Sequence, residues 1–326
     1  MDDNTSTDLT NTSSTVNSVV NVDMKGMSAV AKLLVEKVSE GLGGLFRPRQ
    51  IVRVAEARAK AGLIAAESEL AIAALRDRAE RRVEAEEARA QANIEEVLRL
   101  AAESLSDDAK PEHLDSDWLA NFFDKAKMYT DEEMRAIWAS LLAAEAEKPS
   151  SFSRRVVNIL ADLDKRDAHL FQAVCRISVP IGGDRPLVMD VADRVYTELG
   201  ITFDSLTNLE SLGLVQFHGV AALSLSESSN RFGFHYGGQL YVLSHVHSAG
   251  STSLVNFPIG QLMFTRAGEE LARLCSREPV PGFPEYLQHA YQKLGWELTQ
   301  PVVVNRSTTS GAASSAGIDG SVWPSS

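Results

Sequence analysis

The stretch DEEMRAIWASLLAAE, residues 131–145, sets carboxylates at both ends of one expected helix, so Glu133 and Glu145 are the first residues to weigh for chemistry. Acid–base work needs a reactive partner within hydrogen-bond reach. The nearest candidates are Asp124 and His169, and no spacing joins them to Glu145. A simpler use exists for each carboxylate. Thr130 followed by Glu133 matches a capping box, in which hydroxyl and carboxylate satisfy backbone N–H groups at a helix start. Glu145 continues the apolar face of Met134, Ile137, Trp138, Leu141 and Leu142, where a lone carboxylate is costly to bury. The free N–H groups of a helix opening at Ser150 or Ser151, and the cations Arg154 and Arg155, can compensate it. Thr130, Glu133, Glu145, Arg154 and Arg155 are therefore expected to be structural ties, with a ligand-binding or catalytic Glu145 as the alternative.

Other reactive residue types form no constellation. His245 and His247 would share a strand face, with His235 upstream, but no carboxylate or cysteine completes a ligand set at close spacing. Cys175 and Cys275 sit in apolar patterns and read as buried free thiols of a reducing compartment. There is no Gly-rich phosphate cradle, no Gly-x-Ser-x-Gly elbow and no Cys/His pair with plausible roles. No catalytic residue, cofactor or metal is expected.

The elements that carry these residues are clearer. The net charge of -12 argues against a protein that lives on phosphate backbones. The N-terminus is acidic and polar where a secretory signal would be basic and then apolar, and no apolar run is long enough to span a bilayer, so a cytoplasmic location is expected. Residues 1–26 and 301–326 are Ser/Thr-rich and read as disordered tails. Residues 27–46 form an amphipathic helix and Gly hinge, with Val30, Leu34, Val38 and Leu45 on one face. That face would meet the protein itself, a sister copy or a membrane surface.

Residues 47–105 read as one long Ala-rich helix, on the order of 85 Å if unbroken. Ile72, Val83, Ile94 and Leu105 recur every eleven residues, close to a whole number of helical turns, and form a coiled-coil-type stripe. The surrounding charges are mixed and suit i,i+4 pairs such as Arg82 with Glu86. A stripe so narrow on a helix so long needs a partner, and a homo-oligomer is the simplest.

Residues 106–177 read as a helical subdomain of four short helices. The run DWLANFFDKAKMYTDEEMRAIWASLLAAEAEKPSSFSRRVVNILADLDKRDAHLF resembles the bacterial family known as domain of unknown function 2806. That family has an Asp-Trp start, an SDEEM…W…LAGE core and a Pro-Gly-Ser-Phe-Ser-x-Arg follow-on. Ala143-Ala144-Glu145 stands here where the family has Ala-Gly-Glu, and Pro149-Ser150-Ser151-Phe152 where it has Pro-Gly-Ser-Phe. GGLFRPRQIVRVAEARA, FDSLTNLESLGLVQF and GQLMFTRAGEELARL extend the resemblance over most of the ordered chain. It implies no activity and carries over no catalytic residue; the context it implies is that of mobile-element and phage-defence genes.

Residues 178–300 read as a winged-helix-like subdomain closed by a C-terminal helix. The order is helix, helix, strand, a hairpin turning at Gly237-Gly238, then a strand entering a helix. The segment Phe203 to Leu212, which would read DNA, carries Asp204, Asn208 and Glu210 and no cation, so nucleic acid is not the partner expected. The fold expected is mainly α with a smaller α+β part. The function expected is a non-enzymatic, self-assembling interaction or scaffold protein, in an anti-phage defence or mobile-element setting, with a protein ligand on the head that residues 106–300 form. The alternatives are a winged-helix DNA-binding regulator dimerised through the long helix, and a membrane-associating effector acting through residues 27–46 at the inner membrane.

Overall fold

The computed structural model describes residues 20, 22–43, 69–219, 223–227, 231–246 and 255–302. The expectations for residues 47–68, for Leu45 and for His247 lie outside these. Among the described residues the fold is mixed and α-dominant.

The helical part begins with α1 (Ala29–Gly43) and α2 (Glu69–Glu103). Next come a single 3-10 turn at Pro111–His113, then α3 (Ser116–Ala126), α4 (Glu132–Glu147), α5 (Arg154–Asp162) and α6 (Lys165–Arg176). Helix α4 supplies the hub. Its Ile137, Trp138, Leu141 and Leu142 are fully buried, and the Trp138 ring meets Phe122 of α3 edge-on at 5.1 Å. The second half of α2 packs on α4 through Ile94, Val97, Leu98 and Ala101. Asn93, buried at the start of this contact, donates its amide to the Lys127 carbonyl at 2.8 Å, so no polar group is stranded there. At the far end Glu147 accepts from both the backbone N–H and the hydroxyl of Ser106, which fixes where the chain leaves α2.

The N-terminal boundary differs from the sequence expectation. Val20 is 1% exposed and Val22 packs partly against the core, so at least these two apolar side chains of the segment 1–26 are held against the fold.

Beyond α6 the chain alternates short strands and helices. Strands β1 (Ser178–Pro180) and β2 (Asp184–Pro186) pair antiparallel, followed by α7 (Arg194–Thr197) and α8 (Phe203–Ser211). Strand β3 (Val215–Phe217) pairs with β8 (Leu262–Phe264), and β4 (Leu223–Glu227) pairs with β7 (Val255–Gly260). Strands β5 (Arg231–Tyr236) and β6 (Gln239–His245) form the expected hairpin. Its two central glycines, Gly237 and Gly238, have φ of 57° and 76°, the left-handed pair that a two-residue turn requires. After α9 (Arg266–Ala272) and α10 (Phe283–Lys293), strand β9 (Trp296–Val302) returns to pair with β6. The sequence reading stopped at a helix followed by a tail from 301, and β9 runs two residues into that tail. Its alternation of Trp296 and Leu298, both buried, with exposed Glu297 and Thr299 is a strand signal hidden behind the helix pattern.

Two sequence-distant motifs meet where α9 begins. Thr265 caps α9 by accepting from Gly268 N–H at 3.0 Å and donates its hydroxyl to the Gly213 carbonyl at 2.6 Å. A Cβ at Gly268 would lie 1.9 Å from the Leu214 carbonyl oxygen, so only glycine lets α9 start this close to the Leu-Gly-Leu turn.

Candidate interaction surface

The stripe on α2 divides into two halves. Ile94 is 3% exposed and buried against the chain's own helices, and Leu105, just past the end of α2, packs partly on the core. Toward the N-terminus, residues 73–89 are exposed on every side. Val83 is 38% exposed, Leu75 is 59% exposed, and Ile72 is half-buried. The stretch from Ile72 to Ala92 is about 30 Å of helix at 1.5 Å per residue. It is laced by Arg81 with Asp77 and by Arg82 with Glu86 at 2.9 Å. Nearer the head, Arg99 bonds both Glu96 and Glu103, and the guanidinium holds the Glu96 carboxyl below the usual range. Such exposed pairs support a helix and contribute little else.

Helix α1 uses its apolar face within the chain. Ala31, Leu34, Val35, Val38 and Leu42 are all buried against α2, α3 and the Pro111 turn, while Val30 is half-buried at the margin. The face is therefore wider than Val30, Leu34, Val38 and Leu45, and the head covers it.

The ties between helices are built mostly from backbone N–H groups and buried carboxylates. Glu145, 2% exposed, accepts from Ser150 N at 2.7 Å, Ser151 N at 3.1 Å and Phe152 N at 2.9 Å, with the Ser151 hydroxyl at 3.4 Å. Burial outweighs these bonds and raises the Glu145 carboxyl above its ordinary range. The next N–H, that of Ser153, donates to Glu270 of α9 at 2.8 Å, and Arg273 of the same region donates to the Ser151 carbonyl at 3.3 Å. Four consecutive backbone donors thus end on two buried carboxylates, one from α4 and one from α9. Ser150 has φ of 67°, the one positive value at a non-glycine among the described residues, at the position where the resembling family has glycine.

Two expected ties differ in partner. The cap of α4 is Asp131, which accepts from Met134 N at 3.1 Å, and not Thr130. A carboxylate one residue closer to the helix takes the capping site, which moves Glu133 out of the third position that a capping box needs. Glu133 instead faces α6, with Lys165 at 2.7 Å and His169 at 3.7 Å. Arg154 pairs with Asp117 at 3.2 Å and Asp115 at 3.6 Å, leaving Glu145 to the backbone, and Arg155 is exposed.

His235 and His245 do not come together with a third ligand, and no group of three His, Cys, Asp or Glu residues able to hold a metal occurs among the described residues. His245 packs edge-on against Trp296 at 5.0 Å. Cys175 and Cys275 are both buried and free, and their thiols meet, which 100 residues of separation hid from the sequence. Burial first, and the neighbouring thiol second, push Cys275 well above the ordinary thiol range, which makes it a poor nucleophile. No helix among the described residues is long and apolar enough to cross a membrane.

The described residues form an α-dominant α+β fold in which residues 73–89 of the longest helix are exposed. Over residues 77–288 the chain matches the family described as protein of unknown function (DUF2806), and it belongs to that family. No curated protein and no solved structure matches it.

Proposed function

We infer that this chain is a non-enzymatic scaffold that assembles with copies of itself through the exposed half of α2. The observation that carries the reading is the division of one continuous apolar stripe: Ile94, Val97, Leu98 and Ala101 are covered by the head, while Leu75 and Val83 stand exposed and Ile72 half-buried on the same helix. An alanine-rich helix about 30 Å long gains little stability from propensity alone and is ordered more firmly by burying its stripe. Coiled-coil-type packing is the arrangement this stripe favours, since eleven-residue spacing keeps it nearly straight.

The chain from α6 to α9 reads best as a winged-helix-like unit, with β3 and β8 as the paired strands and the segment between them enlarged. Its second helix, α8, favours a protein-contact or structural role over DNA. It has no Lys or Arg, Asn208 is bonded to Asp167 at 2.6 Å, and Glu210 accepts from Phe217 N at 3.0 Å. A lipid contact through α1 would require its buried face to leave the head, so the membrane reading is the weaker one. A role in phage defence rests on family context alone.

The test is the solution mass of the full chain beside the Ile72→Asp plus Val83→Asp variant, by light scattering after size exclusion. Both positions are at least partly exposed, so the fold should be kept while assembly is lost. A variant with the same mass as the parent assembly would refute the reading.

A further inference from the structure

Cys175 of α6 and Cys275, just past α9, are the two cysteines of the chain, and their side chains meet inside the fold. The bonds around them hold that contact in place. Gln172 donates its amide to the Ser276 carbonyl at 3.0 Å, and Arg176 donates its guanidinium to the Glu278 carbonyl at 3.2 Å. Tyr236 closes the same seam, its hydroxyl donating to the Arg176 carbonyl at 3.0 Å and accepting from the Val280 N–H at 2.7 Å. The end of α6 and the segment after α9 are thus tied side by side, and each brings one sulfur to the other.

A single buried thiol packs as a small apolar group and has no further use. Two thiols held in contact can share one oxidation, and in a reducing compartment such a pair is a transient, redox-sensing one. Cys175 is 0% exposed and Cys275 is 7% exposed, so a small oxidant meets Cys275 first. The Cys275 thiol is otherwise held only by a weak contact with the Leu271 carbonyl at 3.8 Å, and the guanidinium of Arg277 lies near both sulfurs.

We propose that Cys175 and Cys275 form a redox site, at which a peroxide converts the two thiols into a reversible disulfide that locks the end of α9 onto α6. The Cys275 sulfur attacks one peroxide oxygen, the O–O bond breaks, and the departing hydroxide takes the thiol proton to leave as water. The Cys275 sulfenic acid that results is then attacked by the Cys175 sulfur; the S–S bond forms, the S–O bond breaks, and the second hydroxide leaves as water with the Cys175 proton. Two thiols are oxidised and one peroxide is reduced to two waters. The first step is slow, because burial keeps Cys275 a poor nucleophile. The second is fast, because the resolving thiol is already in contact. The closed loop would hold every strand from β1 to β8.

The experiment treats the full chain with hydrogen peroxide, then denatures it in iodoacetamide and weighs it without reductant. The expected product is a chain of unlinked mass that takes up no alkyl group, returns to two after dithiothreitol, and gives a peptide joining Cys175 to Cys275. The oxidised protein should also melt about 5–10 °C above the reduced one. Cys175→Ala removes the resolving thiol, so Cys275 should then go on to the sulfinic acid, which dithiothreitol does not reverse. Two thiols still open to alkylation, sulfinic acid in the parent, or a link between chains would each overturn the site. A disulfide that leaves the melting temperature unchanged or lower would overturn the lock.

Discussion

Glu145 shows how a buried charge can be structural without an ion pair. Its oxygens are filled by backbone N–H groups of the turn that joins α4 to α5, and removing one acceptor leaves donors of that turn, the buried Phe152 N–H among them, without their partner. Glu145→Gln should therefore cost about 2 kcal/mol in a denaturant titration. An unchanged midpoint with loss of some binding activity would instead make Glu145 a ligand residue. Ser150 pays for the same turn in backbone strain, since an L-residue with a side chain is disfavoured at φ of 67°. Ser150→Gly should stabilise the fold by about 1 kcal/mol, read from the same titration, and a loss of stability would show that the side chain contributes more than the strain costs. The Glu145 tie was legible because a carboxylate on an apolar face just before a proline has few other uses. Its companion Glu270 was not, because it reaches Ser153 from 117 residues away and nothing local marks it.

At the scale of elements, periodicity carried the reading where one face is buried and failed where strands are short. The apolar face of α4, the Gly237-Gly238 hairpin and the β8-to-α9 junction could be read directly, since each is specified by neighbours in sequence. Strands β4 and β7 could not, because no Gly-Gly turn or helix cap beside them marks their ends. Nor could the β1–β2 hairpin, whose three-residue strands hold too few alternations, and β9 was hidden behind the helix pattern before it. The stripe on α2 was legible as a stripe, but its partner was not. The same eleven-residue repeat serves an internal contact at Ile94 and an open surface at Val83, and only the position of α1 and α4 divides the two. The cap of α4 slipped by one residue because Thr130 and Asp131 are both good caps, and the choice depends on the path of the preceding turn.

At the scale of the whole molecule, polar ties join segments that are far apart in sequence. Asp184 of the β1–β2 hairpin holds Arg277 through two bonds of 2.8 and 2.6 Å, and these hold its carboxyl below the usual range. A carboxyl group with a lowered folded pKa adds stability above its unfolded value and loses it as pH falls through the folded one. Asp184→Asn should therefore melt lower than the parent at pH 7, and the gap should close below about pH 4, near the unfolded value for Asp. Parallel melting curves down to pH 3 would contradict that linkage. Glu145 works in the opposite sense: its raised carboxyl favours the fold more as pH falls toward the unfolded value, so the acid limit of the protein should be set by pairs such as Asp184 with Arg277.

The central claim is that this chain does not act as a single copy. Sedimentation of the full-length protein over a wide concentration range tests it most directly. The account expects a mass that rises from 35.4 kDa toward a multiple of it as concentration increases. A mass of 35.4 kDa at every concentration would contradict it.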